Sequence, residues 1–224
     1  LKTLIIVAHP QLADSATQAF LKAGAQLPDV TWHYLDERQS INVAAERQLL
    51  LVANRVILQF PLYWYSAPAI LQIWEEQVLQ VKGSLAGKEL GVVVSTGVKA
   101  EAYQAGGAEQ FTISELLRPF QALTHKLQMT YLQPFVLSQF AHLSESAKQR
   151  LFIAYQQYLT LSVSAAFSER ESWFVERLKR MIAAKPELKD RVTLILEQLE
   201  TQQEQLDELQ WTLQMMKASE NDDE

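Results

Sequence analysis

The chain has 224 residues, 48% of them hydrophobic and 21% charged: the composition of one large globular domain, or of an ordinary domain with an appendage, rather than of a disordered chain. It contains no Cys and only four dispersed His, which excludes disulfides, thiolate metal sites and cysteine nucleophiles and leaves no metal centre to expect. The net charge of -6 sits in residues 165–224, with 14 acidic and 8 basic side chains; the first 164 residues carry 12 of each, so no basic footprint for nucleic acid is expected.

The chain opens on the apolar run Lys2–Ala8, which is too short and too abruptly polar at His9-Pro10 for a signal peptide and reads as a strand. A helix over Ser15–Ala25, a weaker strand over Val30–Tyr34 and a helix over Ala44–Ala53 follow. Arg55–Phe60 and Glu89–Ser95 are again nearly continuous β-branched runs, as expected of parallel strands covered on both faces. Between them the period predicts a helix over Pro68–Val81, with Ser66 as its cap and Pro68 in its first turn. Thr112–Leu127 is helical by period, Thr130–Leu137 is a fifth strand whose proline suits an edge, and Glu145–Leu159 is a further helix. This alternation predicts an α/β fold over residues 1–164: a doubly wound, five-stranded parallel sheet with right-handed crossovers.

Residues 165–218 read as a helical extension, either a hairpin or a coiled coil. Trp173, Phe174, Leu178, Met181 and Ile182 form one apolar stripe, which Lys185-Pro186 breaks; Pro186 then suits the first position of a new helix. From Val192 the apolar positions run Ile195, Leu199, Leu206, Leu209, Leu213 and Met216, a heptad seam interrupted at Gln202. Such a seam packs on its own domain, closes a dimer, or binds a protein partner through residues 192–216. Ser219–Glu224 reads as an acidic, disordered tail. No apolar run reaches the ~18 residues of a membrane helix, so no span is expected and the protein reads as intracellular, in the cytoplasm.

In an open α/β sheet, ligands bind beyond the carboxyl ends of strands, where the winding reverses. Three segments leave the sheet there. His9–Thr17 carries hydroxyls into a helix start, which suits a phosphate, although Ser15 alone reads as a plain N-cap. Pro61–Ser66 packs Tyr63, Trp64 and Tyr65 into a surface loop, where they offer a flat wall to a planar ring or a face to a second subunit. Thr96–Tyr103, entered through Ser95-Thr96-Gly97, combines hydroxyls with a backbone open to a ligand.

The segments Val7-Ala8-His9-Pro10, Gln59 through Leu71 and Ser95-Thr96-Gly97 resemble the NAD(P)H:quinone oxidoreductases of flavodoxin-like fold, a family that includes the ancillary oxidoreductases of glutathione-gated potassium efflux systems. The resemblance covers roughly residues 1–160. It implies strand order 2-1-3-4-5, bound FMN or FAD, a homodimer, and ping-pong hydride transfer from NAD(P)H to a quinone or similar small acceptor. It also implies that His9, Ser15 and Thr17 face the flavin phosphate, that Pro61, Leu62, Tyr63, Trp64 and Tyr65 line its ring system, and that Ser95, Thr96 and Gly97 meet the ring's polar edge. Tyr103 matches a tyrosine close to the reacting ring, and Glu109 falls, without gaps, where a histidine is common. Two readings follow. One is a flavin-dependent NAD(P)H oxidoreductase with Tyr103 as hydrogen-bond donor; the other is a non-catalytic regulatory or interaction subunit that recruits a partner through its C-terminal helices.

Overall fold

The strand Thr3–Val7 (β1) is buried along its whole length, and so are all seven residues of Arg55–Pro61 (β3). Strands without a solvent face have no use for polar alternation, which is why they read as unbroken apolar runs. The computed structural model describes residues 1–80, 84–162 and 165–221. The chain divides into two compact units, Leu1–Val163 and Ser164–Glu224.

In the first unit β1 pairs in parallel with Val30–Tyr34 (β2) on one side and with β3 on the other, and β3 pairs with Glu89–Thr96 (β4). The order is 2-1-3-4-5, as expected, but the fifth position is a correction: in place of one strand over Thr130–Leu137 there are two, Thr130–Tyr131 (β5) and Phe135–Ser138 (β6), both parallel to β4. The break contains Pro134, which has no N–H to give to the ladder.

Ala16–Gly24 (α1) and Glu145–Thr160 (α6) cover one face of the sheet, where Ile5, Val7, Ile57 and Val93 pack against Leu21, Tyr155 and Leu159. Val43–Val52 (α2), Ala69–Val78 (α3), Ile113–Leu116 (α4) and Arg118–Lys126 (α5) cover the other, where Leu4, Ile6, Leu58 and Phe60 meet Leu50, Leu71, Trp74 and Phe120. The helix expected over Thr112–Leu127 is thus two helices broken at Leu117, because Pro119 in the first turn of α5 cannot continue a helix from α4. Ser66 does not cap α3. Its Oγ accepts a hydrogen bond from Gln72 Nε2 at 3.2 Å, and Pro68 itself holds the cap position. That helix ends at Val78, with Leu79 as its C-cap, short of the expected Val81, which itself lies outside the described residues.

At the edge of the sheet opposite the carboxyl ends, Arg55 is 1% exposed and fully committed. Its Nε donates to Glu89 at 2.7 Å, and its two terminal nitrogens donate to the carbonyls of Tyr158 and, at 2.8 Å, Leu161. Those carbonyls belong to the last turn of α6 and the residue after it, where a helix leaves acceptors unsatisfied. The buried charge therefore fastens α6 to the sheet.

The second unit is a helical hairpin: Phe167–Ala184 (α7), a 3-10 turn at Pro186–Leu188, and Lys189–Asn221 (α8). Leu178, Val192 and Leu196 are its buried centre, with Phe174, Ile182, Leu188 and Leu199 packed around them. Ile195, a predicted seam position, is 44% exposed; Leu196 takes its place against α7. Pro186 opens the 3-10 turn rather than α8 itself. Ser219–Asn221 lie within α8, and residues 222–224 of the predicted tail lie outside the described residues. Among the described residues no helix is long and apolar enough to cross a membrane.

Candidate functional site

The loops leaving β1, β3, β4 and β6 enclose a cavity of about 690 Å³ at the carboxyl edge of the sheet. His9, Ser15 and Thr17 line it from the first loop; Pro61, Leu62, Tyr63 and Trp64 from the second; Ser95, Thr96, Gly97 and Tyr103 from the third. All but one of the residues expected to form a site therefore meet in one place. The exception is Tyr65, which does not line the cavity. Its hydroxyl turns to the neighbouring loop and donates to Glu109 at 2.7 Å, which in turn occupies the carboxylate that the resemblance set beside the ring.

The first wall is built for an anion. Ser15 caps α1, its Oγ accepting from the Gln18 N–H at 3.2 Å, and the preceding N–H groups of the first turn stay available at the positive end of the helix. The plain N-cap reading of Ser15 is therefore correct, and the residue lines the cavity as well. His9 is 6% exposed, and its Nδ1 accepts the Gln11 N–H at 3.1 Å. Burial lowers its pKa below 6.5, so the ring is neutral and carries its proton on Nε2 as a donor.

The second wall is a strained turn. Tyr63 and Ser66 exchange backbone hydrogen bonds of 3.2 and 3.0 Å around Trp64 and Tyr65, both left-handed at φ 48° and 60°. This is the geometry of a two-residue hairpin that ordinarily carries Asn-Gly. Two bulky aromatics in its place cost of the order of 1–2 kcal/mol each. The turn leaves Trp64 93% exposed while Phe60, within β3, is fully buried and packs against Phe120, so the aromatic run is divided between core and cavity rim.

The third wall is fixed from within. Thr96 is 5% exposed; its hydroxyl lies 2.9 Å from the Val98 carbonyl and 3.2 Å from Ser138 Oγ, tying the end of β4 to the end of β6. That hydroxyl holds the loop, leaving backbone groups to meet a ligand. At Gly97 an added Cβ would find no protein atom within 4 Å, so the protein's own packing does not require glycine there. Burial, and secondarily the charge of Glu109, raise the pKa of Tyr103, which keeps its phenol protonated at neutral pH.

Leu137, Gln139, Phe140, Ala141 and His142 also line the cavity and were not among the expected residues. Leu137 belongs to β6 and the other four follow it; Gln139 sits at φ 47° with its N–H on the Thr96 carbonyl at 2.9 Å. An aromatic and a histidine directly beyond a fifth parallel strand were the available signal. A second cavity of about 550 Å³ lies between α1 and the end of β2, where Arg38 binds Asp36 at 2.9 and 3.0 Å; none of the expected site residues lines it.

Residues 1–161 match a family model described as flavodoxin-like fold. A structure of the NADPH-quinone reductase from P. pentosaceus is 52% identical, with a TM-score of 0.70, over 72% of this chain and 99% of that one. General stress protein 14 from Treponema denticola, solved in complex with FMN, is 31% identical with a TM-score of 0.64, over 71% of this chain and 100% of that one. The uncharacterized NAD(P)H oxidoreductase YdeQ of Bacillus subtilis is 42% identical over 146 residues, 60% of this chain and 74% of the relative. The family match ends before the second unit. This chain belongs to the flavodoxin-like fold family, its family domain spanning residues 1–161.

Proposed function

We propose that the protein is a flavin-dependent NAD(P)H oxidoreductase that uses FMN and passes reducing equivalents to a quinone or similar small acceptor. The observation that carries this reading is the meeting, in one 690 Å³ cavity, of an anion-binding helix start with an aromatic wall. The names of the relatives, and the FMN held by one of them, support it.

When bound, FMN would accept a hydride from NAD(P)H and deliver it to the acceptor. The chain's own contribution is binding and electrostatics. His9 Nε2–H, the hydroxyls of Ser15 and Thr17 and the first N–H groups of α1 hold the phosphate. Leu62, Tyr63 and Trp64 shield one side of the ring system from water. The backbone at Gly97, its loop fixed by Thr96, presents polar groups to the ring edge, and the protonated Tyr103 phenol donates a hydrogen bond to charge that develops there.

The test is reconstitution. The purified chain should take up FMN with quenching of flavin fluorescence, NAD(P)H should bleach the flavin absorbance, and a quinone should restore it. Protein that stays colourless with added FMN and with added FAD would remove the reading.

A further inference from the structure

None of the described residues that line the cavity of about 690 Å³ is Asp, Glu, Lys or Arg. The loop after β3, Pro61–Pro68, holds no such residue, and neither does Gln139–Leu143 after β6. In the loop after β1 the charge is Asp14, which lines the second cavity instead. Fixed charge at the ring-facing walls therefore comes from the loop after β4, with Lys99, Glu101 and Glu109. Lys99 and Glu101 are exposed, opposite in sign and two residues apart, so they offset one another. That leaves Glu109. Tyr65 donates to its Oε2 at 2.7 Å, and its own N–H donates at 3.1 Å to the carbonyl of Ala102, the residue before Tyr103. The loop between is tightly closed: a Cβ on Gly107 would overlap that same carbonyl, which only glycine avoids. Among the described residues no ion pair includes Glu109. Its charge reaches Tyr103, whose phenol it helps to keep protonated.

Position decides what this charge acts on. Neighbouring strands lie ~4.8 Å apart and β4 is two strands from β1, so the loop that carries Glu109 starts ~10 Å from the anion-binding start of α1. That is about one Debye length at ~0.1 M ionic strength. The carboxylate therefore bears on what docks between Trp64 and Tyr103, and far less on a phosphate at α1. Building on the flavin-dependent reading above, we infer that Glu109 sets acceptor specificity by charge, disfavouring acceptors that carry a sulfonate or carboxylate on the ring relative to neutral ones. The acceptor takes a hydride from the reduced flavin and a proton from solvent, and leaves as the hydroquinone. An anionic substituent brought to the rim for that step meets a carboxylate that Tyr65 holds in place and no ion pair neutralises.

Matched probes test this. Naphthalene-2-sulfonate and naphthalene-2-sulfonamide share a shape, differ by one charge, and are not reduced. Titrated into the FMN-loaded chain and followed by flavin absorbance, the sulfonate should gain on the sulfonamide by about threefold or more in Glu109→Gln at low ionic strength, and by more again in Glu109→Lys. Gln still accepts from Tyr65, so the loop stays fastened. The gain should fade at ~1 M salt, where the Debye length is ~3 Å. Photoreduced chain mixed with 1,4-naphthoquinone-2-sulfonate or with the matching sulfonamide should show the same relative gain in reoxidation rate, in a step that omits NAD(P)H and so excludes effects on the donor. An unchanged sulfonate-to-sulfonamide ratio in both variants overturns the proposal. So does a gain that persists at high salt, which would make the shape of the side chain, and not its charge, the cause. A chain that takes up no FMN fails before any probe is added and removes the flavin reading together with this one. A chain that loads FMN and is reoxidised by the neutral quinone, with no dependence on probe charge, overturns this inference alone.

Discussion

Replacing Trp64 by Asn separates the structural and ligand-binding roles of the turn Tyr63–Ser66. In the apo protein the indole is 93% exposed, so of its roughly 250 Å² only some ~20 Å² is lost from contact, worth about 0.5 kcal/mol. Asn tolerates the left-handed region that Trp64 occupies at φ 48°, and relief there returns about 1 kcal/mol. The apo protein should therefore be as stable as the parent or gain about 0.5 kcal/mol, a rise in Tm of about 1–2 °C for a unit of this size. FMN binding should move the other way. Loss of an aromatic stacking partner, at ~0.5–1.5 kcal/mol, weakens the Kd roughly two- to tenfold. Chemical denaturation of the apo chain and fluorescence titration with FMN give both quantities. An apo protein destabilised by about 2 kcal/mol or more, with an unchanged Kd, would refute the reasoning and make Trp64 a packing residue. The opposite signs are the diagnostic, because a turn kept strained for a ligand gives up stability for that ligand.

Glu75 is partly buried, its Oε1 has no partner among the described residues, and burial pushes its pKa up to about 7. The folded state holds its proton where the unfolded chain has already released it, so this group costs stability as pH rises from about 4.5 towards 7 and beyond; Glu75→Gln should recover up to ~3 kcal/mol at alkaline pH and little at acid pH, by denaturation at each. His9 has the reverse sense: its depressed pKa means the unfolded chain binds the proton first, so stability should fall as pH drops below 6.5, and His9→Asn should flatten that fall. Arg55→Met leaves Glu89 and two carbonyls without their donor and should cost about 3–5 kcal/mol in denaturant unfolding, with FMN affinity of the folded fraction unchanged. The Tyr65 phenol titrates above its ordinary value because it donates to Glu109, so Glu109→Gln should lower that pKa in a tyrosinate absorbance titration.

The strands of the first unit were legible because both faces of the sheet are buried, which leaves Ile5, Ile57 and Val93 no polar alternative. The cavity was legible for a related reason: at a carboxyl edge the loops carry residues that the core does not ask for, as His9-Pro10 and Tyr63-Trp64 do. What escaped the sequence depends on contacts without local period. The bond from Tyr65 to Glu109 spans 44 residues and turns an expected ring-facing side chain outward. The Thr96 hydroxyl reaches Ser138 across 42 residues, which is how β6 and the loop beyond it joined the site. In α8 the heptad pattern was plain, but the choice of Leu196 over Ile195 belongs to α7, whose approach along the hairpin selects the face. The turn at Trp64-Tyr65 is the clearest case. Local chemistry asks for Asn-Gly there, and the chain supplies two aromatics in left-handed backbone, held by the Tyr63–Ser66 pair and by Glu109. A sequence that obeys local rules through its sheet and breaks one at the mouth of its cavity marks where function, rather than folding, chose the residues.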